Sequence, residues 1–366
     1  MRSNSIAWLC AALPAVVVAA SCPILLGSGK EEARPPVRES VHQDKRALKR
    51  KGRRCISPWI IYKDAHSIDL LKSQADIVAS VSVCGNATPE FIAECRKLDI
   101  ETYKLVGGKP TAFDTESHRQ ATIGQYLRLC REVGYDGIDL DFEGLDRTYR
   151  EQYSAFLRDT SHELHRVGKK LSKCVSYLMS TRRTTTKTHM ADFYDPKVVG
   201  ETCDMVRVMC YDMYSLSGEG IGPVSAQPWA KDAMKYWLQY VPGERLIMGL
   251  PAYSGDFEMA LDGKRTRAYG APAPVVPPGT AVKRVWLPYE QINTYKYVDR
   301  KGCLHLFFAS DAAGTRAHLE TADRLGIFGV GFWHCRAVTP QMWKVVRDWH
   351  GRAPTVERAH WWLVYP

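Results

Sequence analysis

The chain has 366 residues, of which 45% are hydrophobic and 25% charged, as is typical of a globular protein with a sizeable core. This composition excludes a collagen-like, a wholly disordered or a multi-span membrane protein. The formal net charge is +10, and the segment 30–54 alone carries ten basic and four acidic residues. Because the rest of the chain is close to balanced, the charge does not indicate a nucleic-acid partner.

The N-terminus has the pattern of an export signal. Arg2 precedes an apolar run over residues 6–20 that ends in small residues, which is typical of a secretory signal peptide. Cys22, directly after them, resembles the lipid-attachment cysteine of bacterial lipoproteins, and the apolar residues 23–26 also allow an uncleaved signal anchor. We therefore expect an exported protein that is secreted, periplasmic or envelope-anchored, with both modes of membrane attachment left open.

Nine cysteines follow Cys22, and their spacing shows no CxxC pair and no Cys/His zinc pattern. The sequence therefore predicts neither a structural metal nor a cofactor. Export permits disulfides, but an odd number of cysteines leaves at least one thiol unpaired within the chain. Several lie inside apolar runs, and we expect them to be small core residues.

After residue 54, short apolar runs rich in β-branched residues alternate with segments of helical period, which predicts parallel βα units. The candidate strands are 57–62, 76–83, 101–106, 137–142, 171–178, 205–211, 246–250 and 327–333. Eight such units predict an α/β fold of the (β/α)8 TIM-barrel type. Between the seventh and eighth strands the alternation fails, and we expect a modest insertion there that contributes to a binding-site wall.

The predicted organisation has four parts. They are a signal peptide or lipoprotein signal (1–22), a basic flexible linker (23–54), the barrel domain (55–350, with the insertion at about 254–304) and a C-terminal tail (351–366). We expect the protein to be a monomer.

Three carboxylates share one face of the fourth predicted strand. Successive strand residues alternate sides, so Asp139, Asp141 and Glu143 point the same way. One alternative is an exposed strand with a solvated acidic face, and another is a divalent-cation site. The neighbouring strands are apolar on both faces, as in a buried parallel sheet, and no second acidic cluster stands out. Both observations favour a catalytic set inside the barrel.

The spacing of these carboxylates also suggests their chemistry. Residues two apart in a strand lie about 6–7 Å from each other. Like charges at that distance in a poor dielectric do not all ionise, so at least one carboxyl is expected to keep its proton near neutral pH. Glu143 lies nearest the C-terminal end of its strand, where barrel active sites are found, and has the longest reach. We therefore predict that Glu143 is a general acid.

Four segments together resemble glycoside hydrolase family 18, the chitinases and related endo-β-N-acetylglucosaminidases. Asp136-Gly-Ile-Asp-Leu-Asp-Phe-Glu143 resembles the family's DGxDxDxE signature. Met209-Cys-Tyr-Asp212 resembles its MxYD, and Gly249-Leu-Pro-Ala-Tyr253 resembles its seventh-strand motif. Gly329-Val-Gly-Phe-Trp333 resembles an eighth strand that ends in a tryptophan under the sugar. The resemblance covers about residues 56–349.

The resemblance implies a retaining hydrolase that uses the substrate's own N-acetyl group as the nucleophile, an exception to the two-carboxylate scheme. Glu143 would protonate the glycosidic oxygen and later deprotonate water. Asp141 would hold the acetamide N–H, and Asp139 would tune the charge of Asp141. Tyr211 would donate a hydrogen bond to the acetamide carbonyl.

The resemblance also implies a set of substrate-binding residues and a glycan partner. Met209 and Asp212 would shape the acetamide pocket, and Trp333 would stack beneath the sugar. Tyr253 and Tyr62 are further candidates for substrate contact. The implied partner is an oligo- or polysaccharide that contains N-acetylglucosamine: chitin oligomers, N-glycan cores and peptidoglycan-type glycans all remain open.

Three parts of the sequence depart from the family pattern, and one of them is the first strand, which Trp59 and Tyr62 match only loosely. Leu105 occupies a place where the family usually has serine, and His334-Cys-Arg336 follows Trp333 where many members carry an acidic residue a little further on. These positions concern the barrel interior and the subsite walls, so they leave the substrate less defined than the catalysis. The alternative function is a catalytically silent, lectin-like glycan-binding protein on the same barrel.

Overall fold

The computed structural model describes residues 54–176, 193–214, 220–263, 265–270 and 273–352. The predicted export signal, the linker up to residue 53 and the tail beyond residue 352 lie outside these ranges. Arg54, predicted as the last linker residue, is buried in the folded part. Its guanidinium pairs with Asp323 at 2.7 Å and lies 4.4 Å from the ring centroid of Trp349.

The described residues contain fourteen strands in two sheets. In chain order they are β1 (Cys55–Ile56), β2 (Trp59–Ile60), β3 (Ser80–Val83), β4 (Glu101–Val106), β5 (Gly137–Leu140), β6 (Lys170–Ser176), β7 (Met205–Met209), β8 (Leu246–Pro251), β9 (Ser254–Met259), β10 (Arg265–Gly270), β11 (Lys283–Leu287), β12 (Ile292–Val298), β13 (Leu304–Ala309) and β14 (Gly329–Trp333). Nine of them form a parallel sheet in the order β1-β14-β8-β7-β6-β5-β4-β3-β2.

This parallel sheet closes on itself through its first segment. Strand β1 pairs with β14 and β2 pairs with β3, so one stretch of chain borders both the last and the second barrel strand. The N–H of Ser57 donates to Val330 O at 2.8 Å, and the N–H of Ser82 donates to Pro58 O at 3.0 Å. Pro58 has no N–H to continue the ladder, which separates β1 from β2. The predicted (β/α)8 barrel is confirmed, with β1 and β2 as one strand position.

A helix follows each strand position in turn. The helices are α1 (Ala65–Ser73), α2 (Pro89–Lys97), α3 (Glu116–Glu132), α4 (Arg150–Arg166), α5 (Pro196–Thr202), α6 (Gln227–Trp237), α7 (Ala312–Arg324) and α8 (Pro340–His350). They pack their apolar faces on the outside of the barrel and form one continuous core with it. Among the helices described, none is long and apolar enough to cross a membrane.

The insertion between β8 and β14 is a folded layer and not a loop. Strands β9 to β13 form an antiparallel sheet in the order β10-β9-β13-β12-β11. This sheet runs from Ser254 to Ala309, five residues beyond the predicted end at 304. Its edge strand β11 begins with exposed Lys283 and Arg284, charges that discourage pairing with another chain. The insertion is therefore larger and more ordered than the sequence predicts.

Eight of the nine cysteines within the described ranges are buried. Cys84, at the end of β3, is the partly exposed one. The cysteines of the described part therefore serve mainly as small core residues, as expected from their place in apolar runs.

Candidate active site

The carboxyls of Asp139, Asp141 and Glu143 lie at different depths in the barrel. Asp139, within β5, is fully buried, Asp141 is partly exposed and Glu143 is exposed. The N–H of Asp141 donates to Val106 O at 2.7 Å, so the chain keeps its strand path just past β5. Glu143 therefore stands at the end of the barrel where the parallel strands terminate, hereafter the carboxyl edge. Active sites of barrel enzymes lie at this edge.

Asp139 is held by side chains from three other strands. Ser82 Oγ on β3 donates to Asp139 Oδ2 at 2.6 Å, and Cys174 Sγ on β6 donates to the same atom at 3.4 Å. Arg207 Nε on β7 lies 3.1 Å from it, and both members of this ion pair are fully buried. A buried carboxylate requires hydrogen-bond donors and a positive charge close to it. These three side chains supply them and fix Asp139 in the barrel interior below Asp141 and Glu143.

Arg207 is itself fixed by the barrel interior. Its Nη1 donates to Ser57 O at 2.8 Å and its Nε donates to Ser172 Oγ at 3.3 Å. The guanidinium carbon lies 5.4 Å from the ring centroid of Trp59 and 5.8 Å from that of Tyr103. The ion pair with Asp139 is thus part of a network that spans the interior.

Asp141 has the most perturbed carboxyl of the site. Burial raises its pKa well above the ordinary value, the charge of Glu143 raises it further, and so does a hydrogen bond that protonated Asp141 donates to the Glu143 side chain. The positive charge of Lys173 acts in the opposite direction, and Asp139 contributes a smaller rise. Within the described residues, Asp141 Oδ1 has no hydrogen-bond partner. Asp141 and Glu143 therefore form a pair that favours sharing a proton, and the buried Oδ1 of Asp141 is available as an acceptor.

This perturbation has a consequence for stability. Since the pKa of Asp141 is higher in the folded than in the unfolded chain, its ionisation opposes folding above the unfolded pKa of about 4. Asp141→Asn keeps the side chain neutral, so we expect it to unfold at higher urea concentration than wild type at pH 7. The gain should shrink as the pH falls toward about 4 and vanish below it, where the wild-type carboxyl is protonated in both the folded and the unfolded state.

Urea unfolding followed by circular dichroism between pH 4 and pH 7 measures this difference. Asp69→Asn, an exposed position on α1, removes the same formal charge and should show no such pH-dependent gain. A loss of stability in Asp141→Asn that is the same at every pH would show that the ionisation of Asp141 does not oppose folding.

A cluster of aromatic rings includes Tyr211, whose hydroxyl is close enough to Asp141 and Glu143 to interact with their charges. The ring centroid of Trp59 lies 6.0 Å from those of Tyr211 and Trp333. Tyr211 and Trp333 lie 6.4 Å apart with their planes inclined by 29°. Burial raises the pKa of Tyr211 well above its ordinary value, so its hydroxyl stays a donor. Trp333 is partly exposed, and its peptide bond to His334 is cis. The site thus has an apolar surface beside its acids.

The loops after β7 and β8 meet next to this surface. Tyr253 Oη donates to Asp212 Oδ1 at 2.6 Å, and the ring of Tyr253 lies 6.4 Å from that of Tyr211. Asp212 has a φ of 59°, which turns the chain directly after Tyr211. Met209 packs in the same apolar cluster as Tyr211 and Trp333. The structure therefore brings Met209, Tyr211, Asp212 and Tyr253 together.

Tyr62 lies at the rim and not in the floor of the site. Its side chain is 48% exposed, and its ring lies 5.7 Å from that of His334. The guanidinium of Arg336 covers it at 4.9 Å and pairs with Asp64 at 2.7 Å. Trp59, which is buried against Tyr211 and Trp333, is instead the first-strand aromatic in contact with the site.

Sequence reasoning missed several residues that support the site. Ser82, Cys174 and Arg207 come from different strands, so their convergence on Asp139 requires the three-dimensional register. Leu105, which stands where the family usually has serine, packs with Trp59 in a small apolar cluster. The hydroxyl that donates to Asp139 is instead that of Ser82. No group of three or more His, Cys, Asp or Glu side chains in the described part of the chain could hold a metal ion.

The fold and the site together define a (β/α)8 barrel with a carboxylate pair at its carboxyl edge. The family model of the Glycosyl hydrolases family 18 matches residues 91–337, and the chain belongs to this family. The resemblance of the four motifs is thereby confirmed.

Individual relatives are distant. The chain is 25% identical over 241 residues to the cortical fragment-lytic enzyme of Bacillus subtilis, which covers 64% of this chain and 54% of that protein. It therefore spans about half the length of this relative. It is 23% identical to the uncharacterized glycosylase YvbX of B. subtilis, over 72% of this chain and 79% of that protein. A chitinase structure from Chromobacterium violaceum superposes with a TM-score of 0.71 at 17% identity and covers 82% of this chain and 99% of that one.

Proposed function

We propose that this protein hydrolyses glycans of β-linked N-acetylglucosamine, with Glu143 as the general acid and base. The observation that carries the proposal is the carboxyl pair itself. Asp141 has a strongly raised pKa, and the exposed Glu143 lies beside it at the carboxyl edge. One proton shared by such a pair is available to a leaving group near neutral pH.

In the first step, Glu143 gives its proton to the glycosidic oxygen while the bond from that oxygen to C1 breaks. The carbonyl oxygen of the substrate's 2-acetamido group forms a bond to C1, which gives an oxazolinium ion and releases the leaving sugar as an alcohol. In the second step, water attacks C1, its proton passes to Glu143, and the oxazolinium ring opens. Two displacements at C1 return the original anomeric configuration.

Asp141 would stabilise the ring-closed state. Its free Oδ1 can accept the acetamide N–H, whose acidity increases as positive charge develops on the amide. This hydrogen bond favours the ionised form of Asp141, so the shared proton moves to Glu143, where it is needed. Tyr211, kept protonated by burial, would donate to the acetamide carbonyl and orient it toward C1.

The sugar would lie on the aromatic surface formed by Tyr211 and Trp333, since apolar sugar faces pack on rings at a site that is otherwise polar. The names of the relatives include a chitinase and a cortical fragment-lytic enzyme, so both chitin oligomers and peptidoglycan fragments are candidate substrates. What these polymers share is the 2-acetamido group that the mechanism needs.

The test is a product analysis of the wild-type chain on chitin oligomers, peptidoglycan fragments and an N-glycan. Cello-oligomers, which have the same linkage but lack the 2-acetamido group, are the matched control substrate. We expect cleavage of at least one acetamido glycan, none of cello-oligomers, and the β-anomer as the first product seen by proton NMR. The absence of products from all three glycans would leave only glycan binding, and α-anomeric products would exclude the retaining mechanism.

A further inference from the structure

We propose that Lys173 is a positioning residue for the catalytic carboxyl pair: it fixes the backbone on both sides of Asp141 and supplies the positive charge that opposes protonation of the pair. This inference rests on the proposed function, because it concerns the same two carboxyls. Lys173 belongs to β6, and none of the motifs identified in the sequence includes it.

The position of Lys173 follows from strand alternation. Ser172 and Cys174 face the barrel interior, where they contact Arg207 and Asp139. Lys173 lies between them in β6 and therefore points outward, toward the layer of helices. Its side chain is nevertheless fully buried. A cation at such a position is costly unless its charge and its three N–H donors are compensated.

The donors of Lys173 are directed at backbone carbonyls near the catalytic acids. Its Nζ donates to Cys174 O at 2.7 Å, to Phe142 O at 3.2 Å and, at a longer 3.5 Å, to Leu140 O. Leu140 and Phe142 are the two residues that flank Asp141. One ammonium group thus ties both neighbours of Asp141 to β6.

Aromatic faces supply part of the electrostatic compensation. Nζ lies 5.0 Å from the ring centroid of Tyr194, 5.6 Å from that of Tyr153 and 5.7 Å from that of Phe193. Ring faces attract a cation at these distances. Within the described residues no carboxylate is in direct ion-pair contact with Lys173, so its charge acts on the carboxyl pair through space.

The titratable groups that face Lys173 are Asp141, Glu143, Cys174, Cys203, Tyr153 and Tyr194. Burial raises the pKa of Cys203 to about 12 and raises the pKa values of Cys174, Tyr153 and Tyr194 above their ordinary values. These four groups therefore stay neutral in the range where a glycosidase works. Of the groups that face Lys173, only the two carboxyls can therefore change their charge in this range. Burial lowers the pKa of Lys173 below its ordinary value, and the charges of Asp141 and Glu143 act in the opposite direction.

A buried lysine can also be a purely structural residue, and the chain offers a matched control. Lys104 on β4, on the other side of β5, is likewise buried, and its Nζ donates to a backbone carbonyl, Gly85 O, at 2.5 Å. The titratable groups that act on it are Cys84 and Lys63, and the carboxyl pair is not among them. If both lysines are only structural, replacing either of them should change the pH profile of activity alike. If Lys173 positions the carboxyl pair by its charge, only its replacement should shift that profile.

The experiment compares Lys173→Met and Lys104→Met with wild type in the pH profile of kcat/KM on a fluorogenic N-acetylglucosamine oligomer. Removal of a nearby positive charge makes ionisation of the pair less favourable, so the acid limb of Lys173→Met should move to higher pH by about one unit. The acid limb of Lys104→Met should coincide with that of wild type. Coincident acid limbs in all three proteins would overturn the proposal.

A second variant and a measurement without substrate separate a loss of charge from a loss of folding. Lys173→Gln removes the charge and keeps an N–H donor for the carbonyls, so it should shift the acid limb like Lys173→Met while unfolding at a temperature closer to wild type. Carbon NMR of protein labelled at the aspartate carboxyl, with the Asp141 signal identified from Asp141→Asn, measures the same shift without substrate. If wild type cleaves no glycan, the proposed function fails, while an unchanged Asp141 titration in both Lys173 variants rejects the role of Lys173 by itself.

Discussion

Replacing Glu143 with glutamine should lower kcat on chitin oligomers by about 10²–10⁴-fold, the contribution of a positioned general acid and base. The amide has nearly the shape of the carboxyl but has no acidic proton to give to the leaving oxygen. Because Glu143 is exposed and only its exchangeable proton is lost, the aromatic surface and the acetamide pocket should stay intact. The affinity for the oligomer, measured by titration calorimetry, should therefore remain within about tenfold of wild type.

Glu151→Gln is the matched control for this substitution. Glu151 lies exposed in the first turn of α4, close to Glu143 in sequence but outside the site. Its replacement should leave kcat unchanged within the error of the assay. If Glu143→Gln retains more than a tenth of the wild-type kcat, Glu143 is not the proton donor. If wild type binds the oligomer but releases no product, the lectin-like alternative describes the protein better than hydrolysis.

The barrel was predictable because its strands are buried on both faces. Such strands read as continuous apolar runs, and the structure places a parallel strand within each of the eight predicted ranges, apart from small differences at the ends. The insertion was not predictable as a sheet, because its strands expose one face or an edge. In β12, for example, buried and exposed residues are mixed, and β11 is mostly exposed. The strands of the insertion therefore lack the continuous apolar runs by which the barrel strands could be predicted.

The residues of the candidate site likewise include some that the sequence could predict and some that it could not. Asp139, Asp141 and Glu143 could be identified from one strand, because alternation alone places them on one face. The residues that control them come from other strands, so no local pattern reveals them. A signal was present nonetheless: Arg207 and Lys173 are charged residues inside predicted barrel strands, and both are fully buried. A buried charge needs a partner, and in both cases the partner belongs to the acidic segment.

Arg207→Met should destabilise the protein by about 3–5 kcal/mol, which is the usual cost of removing one partner from a buried ion pair. Asp139 would keep Ser82 Oγ and Cys174 Sγ as donors but would lose the only cation in contact with it within the described residues. The free energy of unfolding from urea titration at pH 7 measures the effect. Arg119→Met, which breaks the more exposed pair with Asp159, should cost about 1 kcal/mol or less.

The loss of stability in Arg207→Met can arise from an uncompensated carboxylate or from lost packing of the guanidinium. The double variant Arg207→Met with Asp139→Asn distinguishes these two causes. If the cost arises from an uncompensated carboxylate, a neutral amide at position 139 should recover most of the stability, and the two substitutions should be strongly non-additive. If the cost arises instead from lost packing of the guanidinium against Trp59 and Tyr103, the double variant should be no more stable than Arg207→Met. Recovery of stability without recovery of activity would support the role that the ion pair indicates for Arg207. Arg207 would then stabilise the carboxylate of Asp139 in the barrel interior, and Asp141 and Glu143 would perform the chemistry.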